Sequence, residues 1–189
     1  MKTAFIGLDY IVDIMHPSGK IARSAEHARE REIIPVANRL LAHAKAQGWL
    51  SILVKVGFSA GYQEQPKGSP MFGRAHEFGA LRLDGPGCAF HPDLVVPDGT
   101  VELHKPRVSA FYGTILEPLL RANGVERVVL AGVSSVWALQ STARDAHDRD
   151  YQVVIVEDAC AAANQEEHQA SITMLETIAE VVSAKQLGA

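Results

Sequence analysis

The stretch Val128-Val129-Leu130-Ala131-Gly132-Val133-Ser134-Ser135-Val136-Trp137-Ala138 decides the fold. Its first six residues are apolar or glycine without alternation, which suits a strand buried on both faces of a parallel sheet rather than one with a wet face. The two serines that follow are helix-starting residues, so the stretch reads as a strand running directly into a helix at about Ser135 to Asp148. Three more continuous runs have the same character: Ala4 to Leu8, Leu50 to Val56 and Val153 to Val156. A weaker strand is expected at Thr100 to Lys105 and a final one near Ile178 to Ser183. Between them, Pro35 to Gln47 places Val36, Leu40, Leu41 and Ala44 on one helical face and ends at Gly48. Further helices are predicted at Tyr112 to Asn123, closed by Gly124, and at Gln165 to Glu176. Strands alternating with helices predict an α/β domain with right-handed crossovers and a mostly parallel sheet.

Composition narrows the function. With 189 residues, 47% of them apolar, the chain can bury a substantial core as one domain spanning 1–189 and lies outside the low-hydrophobicity range of disordered chains. Its 18 Lys and Arg against 22 Asp and Glu give a net charge of −4, and no basic run offers a phosphate-neutralising face. That argues against a nucleic-acid or anionic-membrane partner and leaves a small molecule or another protein. Cys88 and Cys160 do not suggest a disulfide framework. The N-terminal apolar run is interrupted at Asp9, too early for a signal-peptide core, and no uncharged segment approaches the roughly 20 residues of a membrane helix, so a cytoplasmic location is expected.

One segment breaks the strand–helix rhythm. From Gly57 to Gly99 the chain holds eight of its 15 glycines and five of its nine prolines, with no convincing periodicity, so it reads as a long loop region and not a second domain. Such a loop serves either as a lid or binding loop or as a surface excursion or oligomer contact.

In open α/β sheets ligands sit beyond the carboxyl ends of the strands, which directs attention to three places. Asp9 ends the first strand; a carboxyl there is desolvated unless paired, which raises its pKa and suits acid–base work, although it could instead cap the following turn. Lys105 ends the strand before Pro106 and could pair with Asp9 or hold an oxyanion, or be a solvated lysine. The third place is the turn at Ser134 to Ala138, where backbone N–H groups suit an anion, and where Ser134 or Ser135 could simply be an N-cap.

These residues carry a resemblance. The chain resembles the isochorismatase-like hydrolases, a superfamily of cysteine amidohydrolases together with isochorismatases proper, over essentially its whole length. The similarity runs through the strand ending in Asp9, the Arg39-Leu40-Leu41 helix, and Lys105 with Ser109-Ala110-Phe111. It is most specific at Leu130-Ala131-Gly132-Val133 followed by Gln140-Ser141-Thr142-Ala143-Arg144-Asp145-Ala146, and continues through Val156-Glu157-Asp158-Ala159-Cys160-Ala161-Ala162. The resemblance implies a three-layer α/β/α sandwich on a six-stranded sheet and a homo-oligomer, a dimer or tetramer, for which Phe72, Phe78 and Phe90 could supply contacts.

In the family's cysteine hydrolases the Asp is the general base and acid, the Lys assists, and a Cys on the first turn after the Gly-Val junction attacks the carbonyl. Asp9 and Lys105 fill the first two places, but the nucleophile position is Ala138, whose methyl has no lone pair. Neither Cys88 nor Cys160 occupies that place, and Ile11 stands where many members carry Gln. The metal-site residues of nicotinamidases have no match among His76, His91 and His104, so no metal and no other cofactor is assigned. Isochorismatases proper also lack the thiol and cleave a vinyl ether by protonation from the Asp and addition of water. The resemblance therefore implies a hydrolase of a small molecule using Asp9 and Lys105, with Phe111, Ser134, Ser135 and Trp137 shaping the substrate pocket. Arg74, Arg82 and Arg107 offer no obvious set for a carboxylated substrate. The alternative is a catalytically disabled member acting as a small-molecule-binding or oligomeric scaffold protein. A further option, Ser134 or Ser135 as nucleophile, requires a positioned base.

Overall fold

The computed structural model describes all 189 residues. Six strands, β1 (Thr3–Leu8), β2 (Leu50–Val56), β3 (Val101–Lys105), β4 (Arg127–Gly132), β5 (Gln152–Val156) and β6 (Glu180–Val182), form one sheet in the order β3-β2-β1-β4-β5-β6. Every adjacent pair is parallel. β1 and β4 are buried almost without interruption, which is why their sequences show no alternation. The helices are α1 (Val12–Met15), α2 (Ala25–Glu30), α3 (Ile33–Ala46), α4 (Ala75–Phe78), α5 (Leu116–Ala122), α6 (Gln140–His147), α7 (Gln165–Leu175) and α8 (Ala184–Leu187). They cover the sheet as a three-layer α/β/α sandwich.

The principal helix, α3, begins at Ile33, two residues earlier than expected, and buries Ile33, Val36, Ala37, Leu40, Leu41 and Ala44 against the sheet. Two expected helices are shorter. Residues 112–115 form turns before α5, and Ser135–Leu139 is wound as a single π-helical turn that precedes α6. The short helices α1, α2, α4 and α8 carry too few periodic positions to be read from the sequence.

The 57–99 excursion has little regular structure beyond α4 and a 3-10 turn at Pro86–Cys88. It is nevertheless packed: Phe58, Tyr62, Phe72, Ala75, Ala80, Leu81 and Cys88 form a second small core with Ile11 and Val56. Phe58 and Phe72 meet edge to face, and Phe90 lies under the Lys55 ammonium, so only Phe78 of the loop phenylalanines considered for oligomer contacts is well exposed. Buried Asp13 pins the excursion to the chain after β1 by accepting from the N–H groups of Lys20 and Leu81.

β1 and β4 pair Leu8 with Gly132 at their carboxyl ends. Gly132 has φ +140°, and a Cβ there would lie 2.2 Å from the Leu8 carbonyl oxygen. Gly132→Ala is expected to lower stability by about 3 kcal/mol or more, read as a fall in the urea midpoint. Gly68→Ala, at a position with open space around it, should fall within about 0.5 kcal/mol of the parent chain.

Candidate active site

β1 leaves the sheet at Asp9, which adopts φ +52°. Its N–H still donates to the Val54 carbonyl, so the ladder with β2 runs one residue past the strand, and its side chain then folds over the end of β2. Asp9 Oδ1 accepts from the Val56 N–H at 2.6 Å. Oδ2 meets Lys105 Nζ at 2.7 Å from the end of β3. The Lys105 ammonium also donates to the Val108 carbonyl at 2.6 Å. Asp9 is 2% exposed and Lys105 1%, making this the most deeply buried ion pair of the molecule.

Burial pushes the Asp9 carboxyl above its ordinary value of 3.8, outweighing the Lys105 charge, its hydrogen bond and the Val56 N–H, which all act downward. The buried carboxyl thus holds a proton more readily than a surface aspartate while staying hydrogen-bonded in place.

The pair forms the floor of a cavity of about 590 Å³ beyond the carboxyl ends of the central strands, next to the point where the strand order reverses between β1 and β4. Ile14, Val56, Phe72, Leu81, Val108 and Val136 supply apolar wall. Val133, Ser134 and Ala138 come from the turn after β4, whose Val133–Ser134 peptide is cis, and half-exposed Trp137 also lines the cavity. Asp9, Lys105, Ala138, Ser134 and Trp137 therefore share one cavity, as the sequence reading grouped them.

Phe111 and Ser135 do not line it. Phe111 stacks on Tyr151 with the Arg149 guanidinium 4.7 Å from its ring centre. Ser135 is fully buried behind the turn, and its hydroxyl lies 2.7 Å from His168 Nδ1 on α7. His168 Nε2 is 3.3 Å from Glu157, which also pairs with Arg31 at 2.6 Å. With Nε2–H donating to the carboxylate, a neutral ring accepts the Ser135 proton at Nδ1. The chemistry is that of a serine–histidine–carboxylate line, but no reacting atom can reach a serine that the cavity does not touch. Its work is to tie α7 to the turn, together with Ser171, whose hydroxyl donates to the Ser135 carbonyl, and Gln140, which donates to Ser171.

Ser134 is in the cavity lining, yet its Oγ has no hydrogen-bond partner, so Asp9 is not positioned to activate it. Neither serine caps through its side chain. Three N–H groups of the turn are also committed: Ser135 donates to Ala161, and Trp137 and Leu139 to Ser134. The broad anion cradle expected from the backbone is thereby narrowed.

Cys88 and Cys160 are buried, lie outside the cavity, and have thiols pushed up to about 12 by burial. Ile11 packs into the second core and not into the cavity. No three His, Cys, Asp or Glu side chains are arranged to hold a metal ion, and the histidines make local contacts: His104 with Glu102, His91 beside His16, and His76 on the Tyr62 edge. The residues present do not fit a nicotinamidase-type metal. Among the cavity residues missed in sequence are two charged ones, Arg23 and Glu167, 3.7 Å apart. Glu167 falls on the helix expected at Gln165 to Glu176, but no motif marks either residue, and only the docking of α7 beside the 16–24 segment brings them together.

An isochorismatase domain model matches residues 3–186. The chain is 36% identical over 161 residues to the isochorismatase family protein YecD of Escherichia coli O157:H7, covering 82% of this chain and 81% of that protein. It is 30% identical over 160 residues to the ureidoacrylate amidohydrolase RutB of Klebsiella pneumoniae, covering 78% and 68%. A solved isochorismatase family protein from Desulfovibrio vulgaris superposes with a TM-score of 0.85 at 26% identity, over 99% of this chain and 96% of that one.

A fluorophosphonate probe is expected to label neither Ser134 nor Ser135, as read by mass spectrometry of the intact protein. Ser135→Ala, which leaves His168 Nδ1 without its partner, should cost about 1–3 kcal/mol in denaturant unfolding.

Proposed function

The chain belongs to the isochorismatase family, and from that premise we propose that it is a hydrolase of a small molecule that uses acid–base chemistry at Asp9 and Lys105 without a thiol nucleophile. The observation that carries the proposal is that this buried pair faces the same cavity as Ala138, the family's nucleophile position, while both cysteines are elsewhere. A protonated Asp9 can deliver its proton to the terminal carbon of a vinyl ether. Water then adds to the resulting oxocarbenium carbon, the hemiketal collapses with cleavage of the carbon–oxygen bond, and the carboxylate recovers a proton. Lys105 keeps the carboxyl aimed and balances its charge when the proton has left. The apolar walls limit water around the reacting atoms, with Trp137 at the rim.

The chain acts, in this reading, as a single domain over 1–189, in the cytoplasm and as a homo-oligomer; exposed Val95, Val96, Tyr112 and Ile115 offer apolar surface for self-association. No helix is long and apolar enough to cross a membrane. A second reading is favoured by Ala138 alone: a member that binds its ligand and does not turn it over.

The test is turnover of isochorismate and of a panel of small amides, ureidoacrylate among them because of the amidohydrolase relative, by the parent chain, Asp9→Ala and Ala138→Cys. Vinyl-ether cleavage that falls by a factor of about 100 or more in Asp9→Ala is the expected outcome. No turnover by the parent chain, with amidase activity gained in Ala138→Cys, would replace the hydrolase by the binding protein.

The pH dependence carries a sign. The acid form of Asp9 is the active one, so kcat/KM should be level at low pH and fall as pH rises through the Asp9 pKa, later than an ordinary aspartate at 3.8 would allow. Lys105→Met removes the largest downward influence on that pKa and should move the descending limb to higher pH. An unmoved limb would exclude Asp9 as the proton donor.

A further inference from the structure

The cavity holds its polar pair and its core-built wall out of water: Asp9, Lys105, Val56, Phe72 and Leu81 are all buried. Three other apolar residues of the same lining are wet, Ile21 at 37% exposure, Met71 at 45% and Trp137 at 53%, and these mark its mouth. They come from three separate parts of the chain: the 16–24 segment, the 57–99 excursion and the π-helical turn after β4. Ten large apolar side chains of the molecule are exposed, and these are the three that line the cavity. The charged residues Arg23 and Glu167 of the same lining are turned to each other. Apolar side chains gathered at one opening and bordered by charge are the mark of a surface that is covered when it works. Size agrees with this. A cavity of ~150 Å³ is enough to enclose a benzene ring. This one has about 590 Å³, so a single-ring molecule held at the floor leaves the outer part unfilled.

We propose that Ile21, Met71 and Trp137 form an outer subsite of the cavity, and that the substrate class is a small molecule carrying an apolar tail at the end remote from the group that reacts. The proposal rests on the reading of this cavity as the substrate site and adds what fills the part that the reacting group does not. The subsite sets no charge on the reacting end, so a single-ring vinyl ether can still occupy the floor, with less affinity than a relative that also carries a tail. Trp137 offers a broad flat apolar face, and Met71 is unbranched and adapts to what it meets. The occupant is the ligand's own tail and not a second copy of the chain. The three residues line a concave opening continuous with the floor, and a protein face laid across the rim would leave that volume unfilled. The exposed apolar residues available for self-association, Val95, Val96, Tyr112 and Ile115, lie outside this lining.

The test is direct binding, which does not require turnover. Isothermal titration calorimetry is run with benzamide and its 4-ethyl, 4-propyl and 4-butyl forms, which share one head and differ only in the tail opposite to it. The parent chain is expected to gain about three- to fourfold in affinity per methylene along the series. The chain has two tryptophans, so Trp49→Phe leaves Trp137 as the only indole, and its emission should shift to the blue as the tail lengthens. The Trp137→Ser/Met71→Ser double variant should flatten the series, while Met174→Ser, at an exposed apolar residue outside the cavity, should keep the parent's slope. Thermal melts establish that each variant is folded. Equal affinity along the series, binding of no member, or a slope that survives in the double variant would each overturn the proposal. A flat series in the parent chain, with a double variant whose oligomeric state is changed in light scattering, would assign the mouth to a subunit contact instead. Tail-dependent binding in a chain that hydrolyses nothing would sink the hydrolase reading and leave this one standing, and turnover with a flat series would do the reverse.

Discussion

The buried Asp9–Lys105 ion pair is the constraint on which the rest of the site depends. Taking a carboxylate and an ammonium out of water costs several kcal/mol per ion, and their attraction returns that only when the remaining donors and acceptors are satisfied. Here they are: the carboxylate takes the Val56 N–H that would otherwise be left unpaired where β1 departs from β2, and the ammonium takes the Val108 carbonyl. Asp9 must therefore adopt its left-handed backbone conformation, Lys105 must end its strand in register with Val56, and the 105–108 segment must curl back over the sheet edge. Stability alone would be served as well by two apolar residues of similar volume. The place of the pair at the floor of a cavity supplies the reason for ions there.

A second constraint concerns what covers that floor. The 57–99 excursion would be an open loop if it buried nothing of its own, but Phe58, Tyr62, Phe72 and Leu81 give it a core continuous with Ile11 and Val56. Asp13 adds two backbone hydrogen bonds from the other side of the cavity. Gly87 is tied to the same arrangement, since a Cβ there would fall 2.1 Å from the Asp13 carboxylate. Phe72 and Leu81 thus serve both as core residues and as cavity wall. A wall made of core is fixed rather than adaptable, which ties substrate shape to the folding of this segment.

The fold was legible where burial was uniform. β1, β2, β4 and β5 announced themselves because a strand covered on both faces has no reason to alternate, and α3 because its apolar residues recur at helical spacing. Asp9 and Lys105 were legible because a charged residue at the end of such a strand has few places to go. The pocket roles of Ser135 and Phe111 were misread for a common reason. Position next to the turn is a one-dimensional fact, while the direction of a side chain depends on the winding of that turn. Ser135 points back to His168 on α7, and Phe111 points to Tyr151, contacts with partners 33 and 40 residues away that no local pattern encodes. Arg23 and Glu167 escaped for the same reason. The π-helical turn at 135–139 was likewise invisible, since an extra residue in one turn leaves no mark on a short apolar run.

The placement of Ala138 bears on how one scaffold can host different chemistries. The turn that carries it is held by the Ala161 carbonyl, by the Ser135–His168–Glu157–Arg31 line and by Ser171, none of which touches residue 138 through its side chain. The acid–base pair is likewise built from β1, β2 and β3 without reference to it. A thiol at this position is thus an addition to a frame that stands without one, and its absence leaves the cavity and the Asp9–Lys105 pair in place. In the proposed reading what changes is the route: with no thiol at this position to attack a carbonyl, hydrolysis begins with proton transfer from Asp9 and ends with attack by water. In that reading the retained pair is the determinant of reaction type.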